Sequence, residues 1–527
     1  MKTIKRMNIY GFKKFKKFSV EFNDDTNIII GNNESGKSTI LDAINVTLTQ
    51  KYKNYDKYII KEILNESLIK EFKENSEVEK LPYIIIDIEL NLENLPCNSG
   101  FYGMTHSFEK NQMLYGIRFC CKISEDMIDE LLPIIKSGQI PYEYYQMTWN
   151  TFQGEQYILT KKPINILFID NDDMQTGTSY NYYNRSLFNN SHDNKLQSRI
   201  KNEFREKIND MFDKLPINVV NEHQKFGVNE KKIIFESILT ILDDNIPIEN
   251  KGKGKENIIK TKIALDKNVG KTDVLAIEEP ENHLSFNNLK QMINEIRVQE
   301  GKQMIITTHE SMIANSLDLR KILWIKDECA ESLKNLKKDD ADFFCKNSNN
   351  NMLQFILSDK VILVEGATEF LLIPKIFEKI YNKKIEDEGI AVIDCGGIKY
   401  KRFEDIAKQM NKTVAVLTDN DKKQSNLDFR KNYNEKSSKM KIFMDDSLEN
   451  WTWEVCFYNL NKEKLDLLVD ADEKFDYKYH GNDYGSKTLG KMLNNKVEIA
   501  YVMYNSEFNY AIPKYIEDCL EWIKKQF

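Results

Sequence analysis

Long apolar runs are missing from this chain of 527 residues. None approaches the ~18–20 residues that a membrane span needs. The opening Met1-Lys-Thr-Ile-Lys-Arg6 leads into Met-Asn-Ile-Tyr rather than an apolar stretch, so no secretory signal is expected either. The 8 cysteines are scattered. Their one close pair is the adjacent Cys120-Cys121, and no C-x-x-C spacing occurs, which excludes a disulfide framework and a zinc ribbon. Basic charge is not in excess: 75 Lys+Arg against 82 Asp+Glu leave a net charge of −7. That excludes a wholesale polycationic coat but leaves room for a local basic channel. Neither sustained heptads nor internal repeats are present, so no long coiled-coil arm is expected. What is there, 41% hydrophobic and 30% charged residues, describes a cytosolic, reduced, globular chain. At ~150 residues per domain, its length predicts three or four domains.

Strand and helix signals divide the chain. Thr3 to Tyr10 and Ser19 to Phe22 alternate as strands, and Asn27-Ile-Ile-Ile30 runs into Gly31. After Thr39, Ile40, Leu41, Ile44 and Leu48 share one helical face. Residues 1–50 form the first half of one domain. Residues 51–215 read as an insertion with its own small folds, for which a dimerisation role stays open. They include a helical stretch over Tyr58 to Glu79, a strand over Leu81 to Leu90 and a polar loop over Thr176 to Asn190. Regular alternation returns over 216–345, with a helix over Lys231–Leu242, strand Thr272–Ile277, helix Phe286–Gln299 and strand Gln303–Thr307. The polar run Lys346–Asn351 reads as a linker. Beyond it, over 352–527, strands Lys360–Val364, Ile390–Asp394 and Thr413–Leu417 alternate with helices, which predicts a second domain with a parallel sheet.

Gly31-Asn-Asn-Glu-Ser-Gly-Lys-Ser38 satisfies G-x-x-x-x-G-K-[ST] between a strand and a helix. Its glycines let backbone N–H groups turn onto phosphate oxygens, and the helix N-terminus adds partial positive charge. Gly31, Asn32, Asn33, Glu34, Ser35, Gly36, Lys37, Ser38 and Thr39 are therefore the candidate ATP-binding residues, with Lys37 on the β/γ-phosphates and Ser38 on Mg²⁺. Strand Val274–Ile277 ends in Glu278-Glu279-Pro280-Glu281. Glu278 is assigned to the metal and Glu279 to the attacking water. Thr307-Thr308-His309 ends a neighbouring strand, where His309 can contact the γ-phosphate.

A second acidic set lies downstream. Strand Val361–Val364 ends in Glu365-Gly366, Glu369 follows on the first helical turn, and strand Val414–Leu417 ends in Thr418-Asp419-Asn420-Asp421. In a parallel sheet these strand ends share one carboxyl edge, where ligands bind. Glu365, Glu369, Asp419 and Asp421 are thus candidate ligands for Mg²⁺ or Mn²⁺, with Glu365, Asp419 and Asp421 the catalytic set. Metal ions so placed can activate water and stabilise the leaving oxygen of a phosphodiester.

Gly31–Ser38, Ile277–Leu284 and Ile305–Ser311 resemble the Walker A, Walker B and switch-histidine motifs of SMC/ABC-type ATPases. That resemblance implies a signature loop acting across two heads, for which Gly252-Lys-Gly-Lys-Glu-Asn257 is the match; Gly252 and Gly254 stand where the family has its Ser-Gly-Gly form. The later E-G…D-x-D pattern is similar to the Toprim domain of topoisomerases, primases and some nucleases. From that resemblance come Glu449 as a further metal ligand, with Asp446 and Glu454 as alternatives, and Lys487 as the lysine that neutralises transition-state charge. Together the motifs resemble the OLD (overcoming lysogenization defect) family of ATP-dependent nucleases, which includes the Gabija nuclease. The expected fold is α/β: an ABC-type P-loop ATPase head with a long insertion, followed by a Toprim parallel-sheet α/β domain. The resemblance implies a cytoplasmic ATP- and Mg²⁺- or Mn²⁺-dependent DNA endonuclease in antiviral defence, forming dimers or higher homo-oligomers through its ATPase heads. Whether a helicase or reverse transcriptase acts with it stays open. The competing expectations are an SMC-like ATP-driven DNA clamp with an inert Toprim domain, and a Toprim strand-transferase or primase-like enzyme.

Overall fold

The computed structural model describes residues 1–170, 184, 187–188, 193–214, 228–229, 235–265, 272–297, 301–310, 312–313, 318–346, 352–395, 400–468, 479 and 486–526. They form two compact units, one of Met1–Leu317 with Lys321–Glu331, the other of Asp318–Arg320 with Ser332–Phe527. The polar run expected as a linker lies, from residue 347 to 351, outside the described residues, as does most of the polar loop expected over Thr176–Asn190. No described helix is long and apolar enough to cross a membrane.

The first unit is built on two sheets. Strands β1 (Thr3–Phe12), β2 (Phe15–Glu21), β4 (Ile84–Asn91), β5 (Tyr102–Gly103), β6 (Leu114–Ile123) and β7 (Tyr145–Thr151) pair antiparallel, and β3 (Thr26–Gly31) belongs to the second sheet. Side-chain chemistry alternates in β4: Ile84, Ile86 and Ile88 are each 0% exposed on one face, while Asp87 and Glu89 on the other are buried against Arg118 and Arg6. Residues 51–170 therefore do not fold as separate small bodies: β4 pairs directly with β1, and β6 with β4. The expected helix over Tyr58–Glu79 is two short helices, Ile59–Ile63 and Glu66–Glu74.

In the second sheet, β8 (Ile166–Asp170), β11 (Val274–Glu278), β12 (Gln303–Thr307), β3 and β13 (Ile322–Lys326) run parallel, with β14 (Cys329–Ser332) at the edge. A small hairpin, β9 (Leu242–Asp243) and β10 (Ile246–Pro247), stands apart. Where a helix over Lys231–Leu242 was expected, Phe235–Ile238 makes a 3₁₀ turn and β9 begins at Leu242; residues 230–234 lie outside the described set. The helix Lys37–Thr49 shares one apolar core with both sheets through Ile40, Ala43, Ile44 and Val46. Buried Gln303 staples the sheets: its amide N–H donates to the carbonyls of Ile4 and Asn23, each at 2.8 Å, and its Oε1 accepts from Ile4 N at 2.8 Å.

The second unit carries a four-stranded parallel sheet in the order β16 (Ile390–Asp394), β15 (Lys360–Val364), β17 (Thr413–Leu417), β18 (Met440–Phe443). The chain leaves β15 towards β16 and returns on its other side as β17. The crevice at the carboxyl ends of β15 and β17 is thus a topological switch point, the place where open α/β sheets bind ligands.

Candidate active sites at two sheet edges

At the first edge, β3 ends in a loop that only a backbone without side chains at two points can form. A Cβ on Gly31 would meet Ser35 Oγ at 2.4 Å and the Ile325 carbonyl at 2.8 Å. Glu34 and Gly36 take φ values of 62° and 101°, and a Cβ on Gly36 would meet the Phe15 ring at 2.4 Å. These turns aim the N-terminus of helix Lys37–Thr49 into the loop. Lys37 is 6% exposed, and its ammonium donates to the carbonyls of Gly31 at 3.0 Å and Asn32 at 3.3 Å. Burial lowers its pKa, against the opposing pull of Glu279, Glu281 and Glu278. Ser35 Oγ is buried without a hydrogen-bond partner. A buried cation bonded only to carbonyls and an orphaned hydroxyl suit the oxygens of a phosphate chain.

Across β12 from this loop, β11 ends at Glu278, in register with Thr307 of β12. Glu279 takes φ 40°; its N–H donates to the Thr307 carbonyl at 3.0 Å, and its Oε2 accepts from Asn282 at 3.1 Å. His309 Nδ1 lies 3.4 Å from Glu279 Oε1 and 3.5 Å from Glu281 Oε1. Glu281 also accepts from the Thr308 hydroxyl at 2.7 Å and from His309 N at 2.9 Å. Sequence reasoning passed over Glu281 as the tail of an acidic run, yet it is the group that fixes the histidine strand end.

Gly252–Asn257 is less loop than expected. A helix begins at Lys253, so Gly254 lies in its first turn, where a Cβ would meet the His283 carbonyl at 2.4 Å. Asn257 donates to the Asn282 carbonyl at 3.4 Å. Gly254 thereby holds this helix against the turn that follows Glu281, whereas Gly252 has open space around it.

At the second edge, Glu365 caps the end of β15, and its Oε2 accepts from Thr418 Oγ1 at 2.8 Å and Asp419 N at 3.2 Å. Asp419 Oδ1 accepts from Trp453 N at 3.0 Å, at the start of helix Trp453–Leu468. Desolvation pushes Asp419 well above the usual carboxylate range; Glu369, Glu365 and Glu454 add repulsion and Lys496 opposes them. Glu369, 7% exposed, is pushed up to about 8 by the same desolvation, with Glu454 and Glu365 repelling it and Lys496 and its own backbone N–H opposing. Glu454 is 3% exposed and accepts from Lys496 Nζ at 3.1 Å and from the Thr452 hydroxyl. Burial works against the Lys496 ammonium, but Glu454 and Asp419 hold its pKa above the ordinary lysine value.

Four carboxylates thus interact at the switch point, and they are not quite the expected four. Asp421 stands aside. Left-handed φ values of 52° at Asp421 and 60° at Lys422 turn the chain, and the Asp421 carboxylate faces solvent, 3.5 Å from Lys423. Glu449 is exposed, and Glu454 takes the inward position because Trp453 N is anchored on Asp419. Asp446 pairs instead with Arg430. Lys487 opens the helix Lys487–Asn494 on the exposed side, while Lys496 is the lysine that meets the carboxylates. Among the described residues no three His, Cys, Asp or Glu side chains form a metal-holding group as they are arranged. The fit of a divalent ion rests on the donors: hard, mostly buried anionic oxygens that, among the described residues, outnumber the lysine meeting them.

The profile of the AAA ATPase domain family matches residues 1–163 and 105–314. The chain belongs to the AAA ATPase domain family. Behind that domain, residues 356–421 match the profile described as "Overcoming lysogenization defect protein-like, TOPRIM domain". A P-loop ATPase followed by an OLD-like Toprim domain is therefore the architecture of this ATPase, as its motifs led us to expect. An AAA ATPase domain implies nucleotide binding, and Toprim domains typically bind divalent metal. No curated protein sequence matches the chain. Among solved structures, the recombination mediator protein RecF with ATP is 13% identical, covering 63% of this chain and 99% of that chain at a TM-score of 0.34. The Smc head domain derived from Pyrococcus furiosus is 14% identical, covering 64% and 98% at 0.30. The C-terminal region of the Xanthomonas campestris pv. campestris OLD protein is 18% identical, covering 32% and 94% at 0.25.

Proposed function

We propose that this ATPase is an ATP-regulated, divalent-metal-dependent DNA endonuclease, nicking or cleaving DNA in defence against phage, and assembling as a homo-oligomer through its ATPase heads. The observation that carries the nuclease reading is the gathering of Glu365, Glu369, Asp419 and Glu454 at the switch point of the second sheet. A divalent ion bound there, Mg²⁺ or Mn²⁺, would supply the Lewis acid that phosphodiester hydrolysis needs. Glu365 and Asp419 would hold it, with Glu369 and Glu454 as further oxygen donors, while Lys496 orients Glu454 and offsets part of the cluster's charge. In the first unit, Lys37 would hold the β/γ-phosphates of ATP and Ser38 and Glu278 its metal. Glu279 would take a proton from the attacking water, and His309 would contact the γ-phosphate.

The test is plasmid nicking by wild type and Asp419→Ala across a Mg²⁺/Mn²⁺ titration, with and without ATP, and with ATP hydrolysis measured in parallel. Loss of a metal-binding carboxylate should cost roughly 10³-fold or more in nicking rate, while ATP turnover persists. Normal nicking by Asp419→Ala would sink the Toprim assignment and favour an ATP-driven DNA clamp.

A further inference from the structure

The segment after the Lys37–Thr49 helix alternates cations with aromatics: Lys51-Tyr-Lys-Asn-Tyr-Asp-Lys-Tyr-Ile-Ile-Lys61. It faces β7, which pairs with β6 and, at Asn150, bridges back to Gln156. Between them lies an open groove of about 520 Å³, floored by Tyr52 and Trp149 and rimmed by Tyr55, Lys53, Lys57, Gln146 and Asn150. A second hollow of about 400 Å³ follows, with Tyr58, Lys61 and Tyr144 on its walls. Lys57 joins the two, its ammonium donating to the carbonyls of Glu143 at 2.7 Å and Tyr145 at 2.8 Å.

Three features of this groove point the same way. The floor is rigid: Trp149 Nε1 donates to the Val46 carbonyl at 2.8 Å, and Trp149 is 6% exposed. The rim leaves rings in water, with Tyr55 at 56%, Tyr58 at 61% and Tyr144 at 41% exposed. Among the described residues these cations have no carboxylate partners: Lys53 donates to Gln50 Oε1 at 3.1 Å, Lys57 to the two carbonyls, and Lys61 lies over the Tyr58 ring. Of the residues lining the two hollows, the acid is Glu143, on the second; Asp56, near them in sequence, accepts from Tyr58 N, and Lys51 is taken up by Asp42. Lysines for phosphates, tyrosine faces for stacking and amides for base edges make up the chemistry that holds an unpaired nucleic-acid strand. A duplex could use the lysines but not the hollows, because its bases are already stacked.

We propose that this groove on the ATPase unit binds single-stranded DNA, independently of the carboxylate edge. The test is fluorescence anisotropy of the full chain, in EDTA, with a labelled oligothymidylate of about twelve nucleotides and a duplex of equal length. Tyr55→Ala/Tyr58→Ala should weaken oligothymidylate binding roughly 30-fold or more, since two stacked bases are lost, and should change duplex binding little. Lys53→Ala/Lys61→Ala should lower the salt slope for the single strand by about 1.4, roughly 0.7 per phosphate contact. ATP hydrolysis by both variants should match wild type and so report that they are folded. Asp419→Ala should bind the oligonucleotide as wild type does; loss there would assign the contact to the carboxylate edge and overturn the proposal. Unchanged affinity in the tyrosine variant, equal loss for duplex and single strand, or no single-strand binding by wild type would each overturn it too. As a measurement that needs no variant, photocrosslinking of a 5-iodouracil oligonucleotide to the unaltered chain should place adducts within 52–58 or 142–149, and adducts confined elsewhere would refute the groove. Because no cleavage is measured, a chain that binds through these tyrosines yet never nicks DNA would leave this site standing and remove only the nuclease reading.

Discussion

Glu281→Ala should separate ATP binding from ATP turnover. The side chain is 8% exposed, and its Oε1 accepts from the Thr308 hydroxyl and from His309 N. Thr308 is fully buried, and its hydroxyl oxygen still accepts from Glu310 N, so truncation strands only its O–H donor, at about 1–3 kcal/mol. The His309 N–H lies near solvent and can turn to water at little cost. The ATPase unit should therefore lose roughly 2–6 °C in melting temperature, scaled from domains of comparable or smaller size. The larger effect is on geometry. Glu281 holds both the backbone and the ring of His309, and a misplacement of about 1 Å in such a contact costs on the order of 10² in rate. Lys37 keeps its carbonyl partners and loses one of three carboxylates that act on it, so nucleotide affinity should change little while kcat falls. Glu281→Gln keeps an oxygen acceptor and should recover most of the stability and part of the turnover. A fluorescent-nucleotide titration beside steady-state phosphate release decides the matter. Wild-type kcat in Glu281→Ala, or an affinity loss as large as the rate loss, would refute the positioning role.

Lys37→Ala should abolish ATP hydrolysis because the phosphates lose their buried cation, and Glu279→Gln should bind ATP yet release phosphate slowly; wild-type turnover in either would reject the phosphate-loop assignment. Glu454→Gln should impair nicking more than Glu449→Gln by at least tenfold, since only Glu454 interacts with Asp419 and Glu369; the reverse order in a plasmid assay would restore the more exposed residue. Lys496→Met should likewise cost more nicking than Lys487→Met, and equal losses would contradict the placement of Lys496. Gly254→Asp should fail to fold its helix against the His283 carbonyl and melt early, whereas Gly252→Asp should stay folded and, if the segment acts across two heads, complement Lys37→Ala in mixed oligomers; a stable Gly254→Asp by thermal unfolding would count against the packing described here.

The parallel strands were legible almost to the residue. Lys360–Val364, Ile390–Asp394, Thr413–Leu417 and Gln303–Thr307 are short apolar runs bounded by polar or glycine signals, and buried parallel strands leave that signature. The stretch over 51–170 was not, for a physical reason. β4 and β6 carry the alternation of a sheet buried on one face, which says that a partner exists but not which one. The pairing of Ile88 with Met7 is a long-range event, fixed by the shared core beneath the Lys37 helix rather than by anything nearby in sequence.

The candidate sites divide along the same line. Where one local turn places the candidate residues, spacing brings them together: Gly31, Gly36 and Lys37 lie within a single loop, and Glu365 and Asp419 are the ends of adjacent strands. Where placement depends on a second element, spacing does not say which side chains meet. The D-x-D pattern treats Asp419 and Asp421 as equivalent, but the left-handed turn at Asp421 and Lys422 sends the second carboxylate to solvent. Among Asp446, Glu449 and Glu454, distance along the chain cannot choose. Asp419 chooses, by accepting from Trp453 N and so drawing in the residue after it. Lys496 had no motif at all, since a lysine at the start of a helix is ordinary until a buried glutamate 3.1 Å away makes it part of the site. The same dependence on a second element explains the Lys/Tyr run. Alone it is a solvated turn; set against β7 with Trp149 beneath it, it becomes a groove lined by rings and lysines.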